Sequence, residues 1–210
     1  GIFWLEYIHR LWGRLLGLTV FATFLYALKH KETRSYGKPL LGIFILGGLQ
    51  GVVGWYMVKS GLVKDPHVSP YRLMFHLALG TLSLFLLMVY TIKAHPQWSK
   101  GLKQINISKK ALGGLSLLST LTFLWGALVA GFKAGLIYNT FPLMGDRLIP
   151  EDFLYLEPLW RNFIENPSAI QWTHRLLALT TLVYTWVLIR NYFKKDAQSA
   201  SLSALQLLGG

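Results

Sequence analysis

Three of the six histidines in this sequence lie in long apolar stretches, where an ionisable side chain is costly and by default marks a function. His9 and His174 each stand near the beginning of such a stretch, and His76 stands six residues after Pro70 in another. An imidazole can bond to a neighbouring helix, carry a proton or bind a metal. One such residue is explained by a hydrogen bond between helices, whereas three in separate stretches favour a shared ligand.

A small residue follows each of these histidines by four positions, one helical turn along the same face. The pairs are His9 with Gly13, His76 with Gly80 and His174 with Ala178. A small residue there leaves a flat space beside the imidazole. Close helix packing in lipid alone also explains small residues, but it does not explain why each follows a histidine. The other three histidines have polar neighbours and are expected to be solvated; they are His30, His67 and His95.

Heme fits this pattern best, because iron binds neutral imidazole and a porphyrin needs a flat wall. Zinc is the competing metal, but it favours compact sites of Cys, His and carboxylate ligands. The chain has no cysteine, and only Glu6 lies near His9. Arg10 and Arg175 directly follow two of the histidines. They are expected to pair with heme propionates, the alternative being that they extend to the lipid headgroups.

Glu6 lies three residues before His9 and therefore on the same helical face. A carboxylate at this position could orient the imidazole or handle protons. It could equally be a residue of the first turn that complements the helix dipole. Spacing alone does not choose between these two interpretations.

The elements that carry these residues are predicted to be membrane-spanning helices. The chain has 210 residues, of which 53% are hydrophobic and 14% charged, whereas a soluble domain has about a quarter charged. Its apolar runs are continuous rather than alternating and are long enough to cross a bilayer core of about 30 Å. The predicted spans are 2–28, 40–58, 71–92, 111–132 and 168–190, and a sixth is expected to begin near 198. Four glycines of the second span, Gly47, Gly48, Gly51 and Gly54, are expected to form a packing face.

The distribution of charge predicts the orientation. More than half of the 21 basic residues lie in 29–38, 93–110 and 190–196, whereas most acidic residues lie in 59–70 and 133–167. Basic loops stay on the cytoplasmic side, so all three apolar-stretch histidines are expected near the outer face. The net charge of +12 is then an orientation signal that requires no nucleic-acid partner. The chain begins with Gly and ends in an apolar run, so we expect a fragment of a longer protein.

Five segments carry a more specific resemblance. They are "EYIHRLWGRLLG", "QGVVGWYMVKSGL", "VSPYRLMFHLALG", "GALVAGFKAGLIYNTFPLMGDRLIPED" and "ENPSAIQWTHRLLA". In this order they resemble heme A synthase, particularly its mitochondrial and proteobacterial, cysteine-free branch. That family is known as an all-α integral membrane protein built from two similar four-helix halves. The resemblance implies that 1–110 holds family helices two to four, and that 111–210 holds helices five, six and the start of seven, with an outer loop at 133–167.

The resemblance also implies an activity: oxidation of the C8 methyl group of heme O to a formyl group, giving heme A for cytochrome oxidase. It implies that His9 and His76 flank the substrate heme, with Glu6 catalytic or orienting a ligand. It implies that His174 binds iron in a heme b that passes electrons, with a partner histidine beyond residue 210. Arg10 and Arg175 remain candidate propionate partners.

The membrane implied is the bacterial cytoplasmic membrane or the mitochondrial inner membrane. Partners expected by likeness are the lipid bilayer, a heme O synthase and an electron donor, and a homo-oligomer is compatible with the sequence. The alternative function is a membrane cytochrome b-type electron carrier, which usually holds hemes near both membrane faces. A transporter would have polar groups at mid-depth in discontinuous helices, and these spans are apolar there. Three histidines near one face favour the synthase.

Overall fold

The computed structural model describes residues 2–61, 68–98 and 107–208, and the side chains of 4–59, 68–98 and 107–194 among them. His67 and the middle parts of the loops 59–70 and 93–110 lie outside the described residues. The helices are α1 (Ile2–Lys29), α2 (Gly37–Gly61), α3 (Pro70–Ala94), α4 (Lys109–Gly131), α5 (Asn162–Glu165) and α6 (Pro167–Leu208). The described part of the chain contains no strand beyond an isolated bridge between Met144 and Arg147.

Five of these helices are long and apolar enough to cross a membrane within the described residues: α1 to α4 and the Pro167–Lys194 part of α6. The five predicted spans and the all-α membrane class are thereby confirmed. The sixth predicted span, near 198, falls within α6, which continues without a turn to Leu208. The segment 190–208 contains neither proline nor glycine, so nothing in it interrupts a helix.

The helices begin where the sequence provides starting signals. Pro70 is the first residue of α3 and follows Ser69, a position where proline's missing N–H and fixed φ suit a helix. Before α6, the Asn166 side-chain oxygen accepts hydrogen bonds from the main-chain N–H groups of Ser168 at 2.9 Å and Ala169 at 3.4 Å. This cap binds two of the N–H groups that a helix start otherwise leaves free.

The chain divides into two compact units, Gly1–Leu102 and Lys103–Gly210. In unit 1, α2 packs against both α1 and α3; in unit 2, α6 packs against α4 and α5. The division lies near the predicted boundary at 110, and the correspondence of the units to halves of an eight-helix protein stays a prediction. Large apolar side chains on the span helices are exposed, including Trp12 and Leu84, as lipid-facing residues are.

The predicted glycine packing face of α2 is used at one position only within the described residues. A Cβ added at Gly47, Gly48 or Gly51 would meet no atom of the described chain within 4 Å, whereas one added at Gly54 would meet the ring of His76. A contact with a neighbouring helix is thus shown for Gly54, and a packing role for Gly47, Gly48 and Gly51 stays a prediction.

Candidate functional site

His9 and His76, predicted from separate spans, are brought together in unit 1. Their ring centroids lie 6.4 Å apart with the ring planes inclined at 65°. His9 is exposed and His76 is partly buried. A metal bonded to one nitrogen of each ring, at about 2 Å per bond, would hold the centroids about 6 Å apart. The distance between the two ring centroids is therefore compatible with a metal in line between them.

The imidazole of His76 rests on α2. A Cβ at Gly54 would lie 2.9 Å from its Cε1 and 3.4 Å from its Nδ1, so only glycine leaves room for the ring. Gln50, one turn earlier on α2, places its amide nitrogen 3.3 Å from Nε2 of His76. The Nδ1 atom is buried and has no hydrogen-bond partner among the described residues.

Gly80 has a different role from the one predicted. A Cβ there would lie 3.0 Å from the Gln50 amide nitrogen, so Gly80 makes room for Gln50 rather than for a flat space beside His76. On α2, Gln50 is followed four positions later by Gly54, which makes room for His76. On α3, His76 is followed four positions later by Gly80, which makes room for Gln50. At Gly13 the expectation of open space agrees with the structure, because a Cβ there would meet no described atom within 4 Å.

Glu6 and Arg10 form an ion pair one helical turn apart, in which the Arg10 guanidinium donates to the Glu6 carboxylate. Their side chains are 40% and 52% exposed, respectively. Among the described contacts Glu6 bonds to Arg10 and not to His9. The roles of Glu6 near the imidazole and of Arg10 at a propionate thus stay predictions. In the structure each of these two groups is the ion-pair partner of the other.

In unit 2, His174 is held more firmly. Its Nδ1 donates a hydrogen bond of 3.1 Å to the main-chain carbonyl oxygen of Thr122 on α4, and a Cβ at Gly126 would lie 3.0 Å from its Cε1. Because a carbonyl oxygen only accepts, this bond fixes the tautomer with the proton on Nδ1. Nε2 is left with a lone pair that can bind a metal.

Further polar contacts join α4 to α6 along the same face. The hydroxyls of Thr122 and Thr181 lie 2.9 Å apart. Nearer the beginning of α4, the Tyr184 hydroxyl on α6 donates to the carbonyl oxygen of Ala111 at 3.2 Å. Gly114 makes room for it, since a Cβ there would be 2.8 Å from the hydroxyl oxygen. These contacts fix the two helices against each other and so position His174.

Arg175 anchors the loop 133–167. Its guanidinium donates to the carbonyl oxygens of Tyr138 at 2.6 Å and Leu143 at 2.9 Å, and to the sulfur of Met144 at 3.0 Å. The pairing of Arg175 with a propionate stays a prediction. A propionate there would bind a guanidinium that already donates to three acceptors in the loop.

The loop itself is ordered around two fully buried asparagines, Asn162 and Asn166. Asn162 accepts two main-chain N–H groups and donates to two carbonyls, and Asn166 donates to the carbonyls of Asp152 and Phe153. Asp152 accepts from the Tyr138 hydroxyl at 3.0 Å. Burial, together with this carboxylate, raises the pKa of Tyr138. These hydrogen bonds order the loop.

Sequence reasoning missed Gln50, Thr122 and Gly126, and it predicted helix packing for Gly54 without its contact with His76. Gln50 is a polar residue inside an apolar span, which is the signal that could have found it. The two glycines and the Thr122 carbonyl carry no such signal, because their role depends on which helix faces them. Within the described residues no group of three or more His, Asp or Glu side chains could hold a metal ion.

Comparisons with known proteins agree with this reading. The family model for "Cytochrome oxidase assembly protein", COX15-CtaA, matches residues 1–209. A heme A synthase of Nitrosospira multiformis is 46% identical over 87% of this chain and 52% of its own length. One of Wolbachia pipientis wMel is 43% identical over 98% of this chain and 59% of its own length. No solved structure matches.

The chain therefore spans between half and two thirds of the length of these curated relatives. The match to the family model nevertheless covers nearly all of its residues. Together with the five spanning helices and the paired histidines, this shows that the chain belongs to the COX15-CtaA family of cytochrome oxidase assembly proteins.

Proposed function

We propose that the protein to which this chain belongs is a heme A synthase, which oxidises the C8 methyl group of heme O to a formyl group. The single observation that carries this proposal is the pair His9 and His76, whose ring centroids lie 6.4 Å apart between two apolar helices. The names of the relatives in Nitrosospira multiformis and Wolbachia pipientis support it. The heme that these histidines would hold supplies the redox chemistry, which side chains alone cannot perform.

The residues of unit 1 have separate parts in this proposal. His9 and His76 would hold the iron of the substrate heme. Arg10 pairs with a propionate, and its ion pair with Glu6 holds the guanidinium in place for that role. Glu6 accepts or returns a proton near the reacting group.

Unit 2 is proposed to hold a heme b that passes electrons. The supporting observation is the hydrogen bond from Nδ1 of His174 to the Thr122 carbonyl, which leaves Nε2 ready to bind iron. His174 is the only histidine among residues 103–210, so a second histidine ligand would come from elsewhere in the protein. An electron donor and a heme O synthase that delivers substrate are proposed partners. Assembly into a homo-oligomer is compatible with the proposal.

The positive-inside pattern supports an orientation with the three histidines near the outer face. The membrane would be the bacterial cytoplasmic membrane or the mitochondrial inner membrane. The alternative function, a cytochrome b-type electron carrier, is favoured by one observation, the fixed tautomer of His174, because a permanently bound heme needs such a ligand.

The test uses the full-length parent protein in a host that makes heme O and lacks heme A synthase. Extracted hemes are separated by chromatography. We expect heme A from the wild-type protein and none from His9→Ala or His76→Ala, with heme b still bound in both variants. His30→Ala is the matched control, because His30 stacks on Tyr26 outside the site and its loss should leave conversion intact. Heme b without heme A in the wild-type protein would instead support the electron carrier.

A further inference from the structure

The two span histidines that are held by neighbouring helices differ in which ring nitrogen is occupied. In His174 the bonded nitrogen is Nδ1, held by a main-chain carbonyl, and Nε2 has no hydrogen-bond partner among the described residues. In His76 the pattern is reversed, because Nε2 faces the Gln50 amide at 3.3 Å and the buried Nδ1 has no described partner. Nε2 is the nitrogen farther from the main chain, so it reaches a large planar ligand with less hindrance.

Gln50 and His76 are fixed in this arrangement by the glycines opposite them. The ring of His76 lies against Gly54, where an added Cβ would be 2.9 Å from Cε1 of the ring. The amide of Gln50 lies against Gly80, where an added Cβ would be 3.0 Å from the amide nitrogen. The ring has no room to retreat towards α2. The Gln50 amide is the part of the cluster that can move, because it ends a flexible side chain and its Oε1 has no described hydrogen-bond partner to hold it.

We propose that Gln50 is a displaceable cap on Nε2 of His76, and that this cap makes heme bound in unit 1 exchangeable. The amide N–H donates to the same lone pair that would bind iron, so the two compete. This inference rests on the proposed function, in which unit 1 takes up a substrate heme and releases a product. Among the described residues of unit 2 no such competitor bonds to Nε2 of His174, so this unit is suited to a heme that stays.

The expected size of the effect follows from the strength of one neutral hydrogen bond. The net contribution of such a bond corresponds to a change of about three- to tenfold in an equilibrium constant. Removing the cap should therefore tighten heme binding in unit 1 by about that factor. A residue that merely supports the ring would have the opposite effect, because its loss would loosen the ligand.

The first measurement needs no heme. Full-length protein purified without heme is treated with diethyl pyrocarbonate, which acylates accessible unprotonated imidazole nitrogens, and each histidine is followed by peptide mass spectrometry. Gln50→Leu and Gln50→Met should both raise the modification rate of His76 about threefold or more relative to His174. Gln171→Leu is the matched control, because the Gln171 amide bonds to the Tyr138 carbonyl in the other unit. An unchanged rate at His76 in both Gln50 variants would overturn the proposal.

The second measurement is the rate at which heme leaves the loaded protein for an excess of apomyoglobin. If the Gln50 amide competes for Nε2 while heme leaves, Gln50→Leu should slow the faster, unit 1 phase by up to about three- to tenfold and leave the slower phase unchanged. Equal or faster release would overturn the exchange role even if His76 became more reactive. Failure of the proposed function would be seen in a different experiment, as the absence of heme A from the host that expresses the wild-type protein. That outcome would not change the rate at which His76 is modified.

Discussion

Replacing Gly54 by alanine tests how closely the His76 ring packs against the backbone of α2. The added Cβ would lie 2.9 Å from Cε1 of the ring and 3.6 Å from its Nε2, whereas carbon atoms in contact prefer about 3.5–4.0 Å. The ring or the helix must therefore withdraw by about half an ångström or more. Overpacking of this kind typically costs about 1–3 kcal/mol. Alanine in place of glycine returns up to about 1 kcal/mol of helix propensity.

Gly51→Ala provides the matched control on the same helix. A Cβ at Gly51 would meet no described atom within 4 Å, so this variant gains the same propensity without the clash. The difference between the two variants cancels the propensity and isolates the contact with His76. We expect Gly54→Ala to be less stable than Gly51→Ala by about 1–3 kcal/mol, which is a large share of a typical folding free energy.

The assay combines denaturant unfolding in detergent micelles with the heme content of the purified full-length protein. Gly54→Ala should lose unit 1 heme and heme A formation, because a ligand displaced by a fraction of an ångström binds and orients its partner poorly. Gly51→Ala should keep both. The reasoning is refuted if the two variants unfold alike and convert heme O alike.

Three further outcomes follow from the structure. Gly126→Ala should weaken the heme b spectrum, because a Cβ there would be 3.0 Å from Cε1 of His174. Gly113→Ala should leave the spectrum unchanged, because a Cβ there would meet no described atom within 4 Å. Arg175→Lys should speed proteolysis within 133–167, since one ammonium group cannot replace a fork that reaches three acceptors. Arg147→Lys should leave that rate unchanged, because its ion pair is exposed. Lys110→Cys should react with a membrane-impermeant thiol reagent only from the cytoplasmic side, and labelling from outside would reverse the assigned orientation.

The spans and the key histidines could be predicted because their signals are local. An apolar run of sufficient length predicts a membrane helix wherever it occurs, and an imidazole within it is conspicuous. The use of Gly54 could not be predicted, because four glycines on α2 have the same local character. Only the position of His76 on α3 distinguishes one from the others. Helix pairing in lipid lacks the hydrophobic driving force that marks a buried face in water, so composition gives little guidance.

Arg175 shows a second limit of local reasoning. Its position directly after His174 suggests a shared ligand, and this led to the expectation of a propionate partner. The acceptors that bind it in the structure lie more than thirty residues earlier in the chain, in the Tyr138–Met144 part of the loop. Carbonyl oxygens are present at every residue, so no sequence pattern indicates which of them a guanidinium will find.

The same arrangement, a histidine lying on a glycine of the neighbouring helix, occurs in both units, but the ring has a different hydrogen-bond partner in each. Glycine brings the ring close to the opposite backbone in each case. In unit 2 the partner of the ring is the Thr122 carbonyl, which belongs to the main chain of α4 and cannot leave without disturbing that helix. In unit 1 the partner is the side-chain amide of Gln50, which needs only a rotation to leave. A fixed partner at Nδ1 favours a permanent iron ligand, and a movable one at Nε2 favours a ligand that binds and releases. The proposed assignment of resident heme to unit 2 and substrate heme to unit 1 is compatible with this difference between the two hydrogen-bond partners.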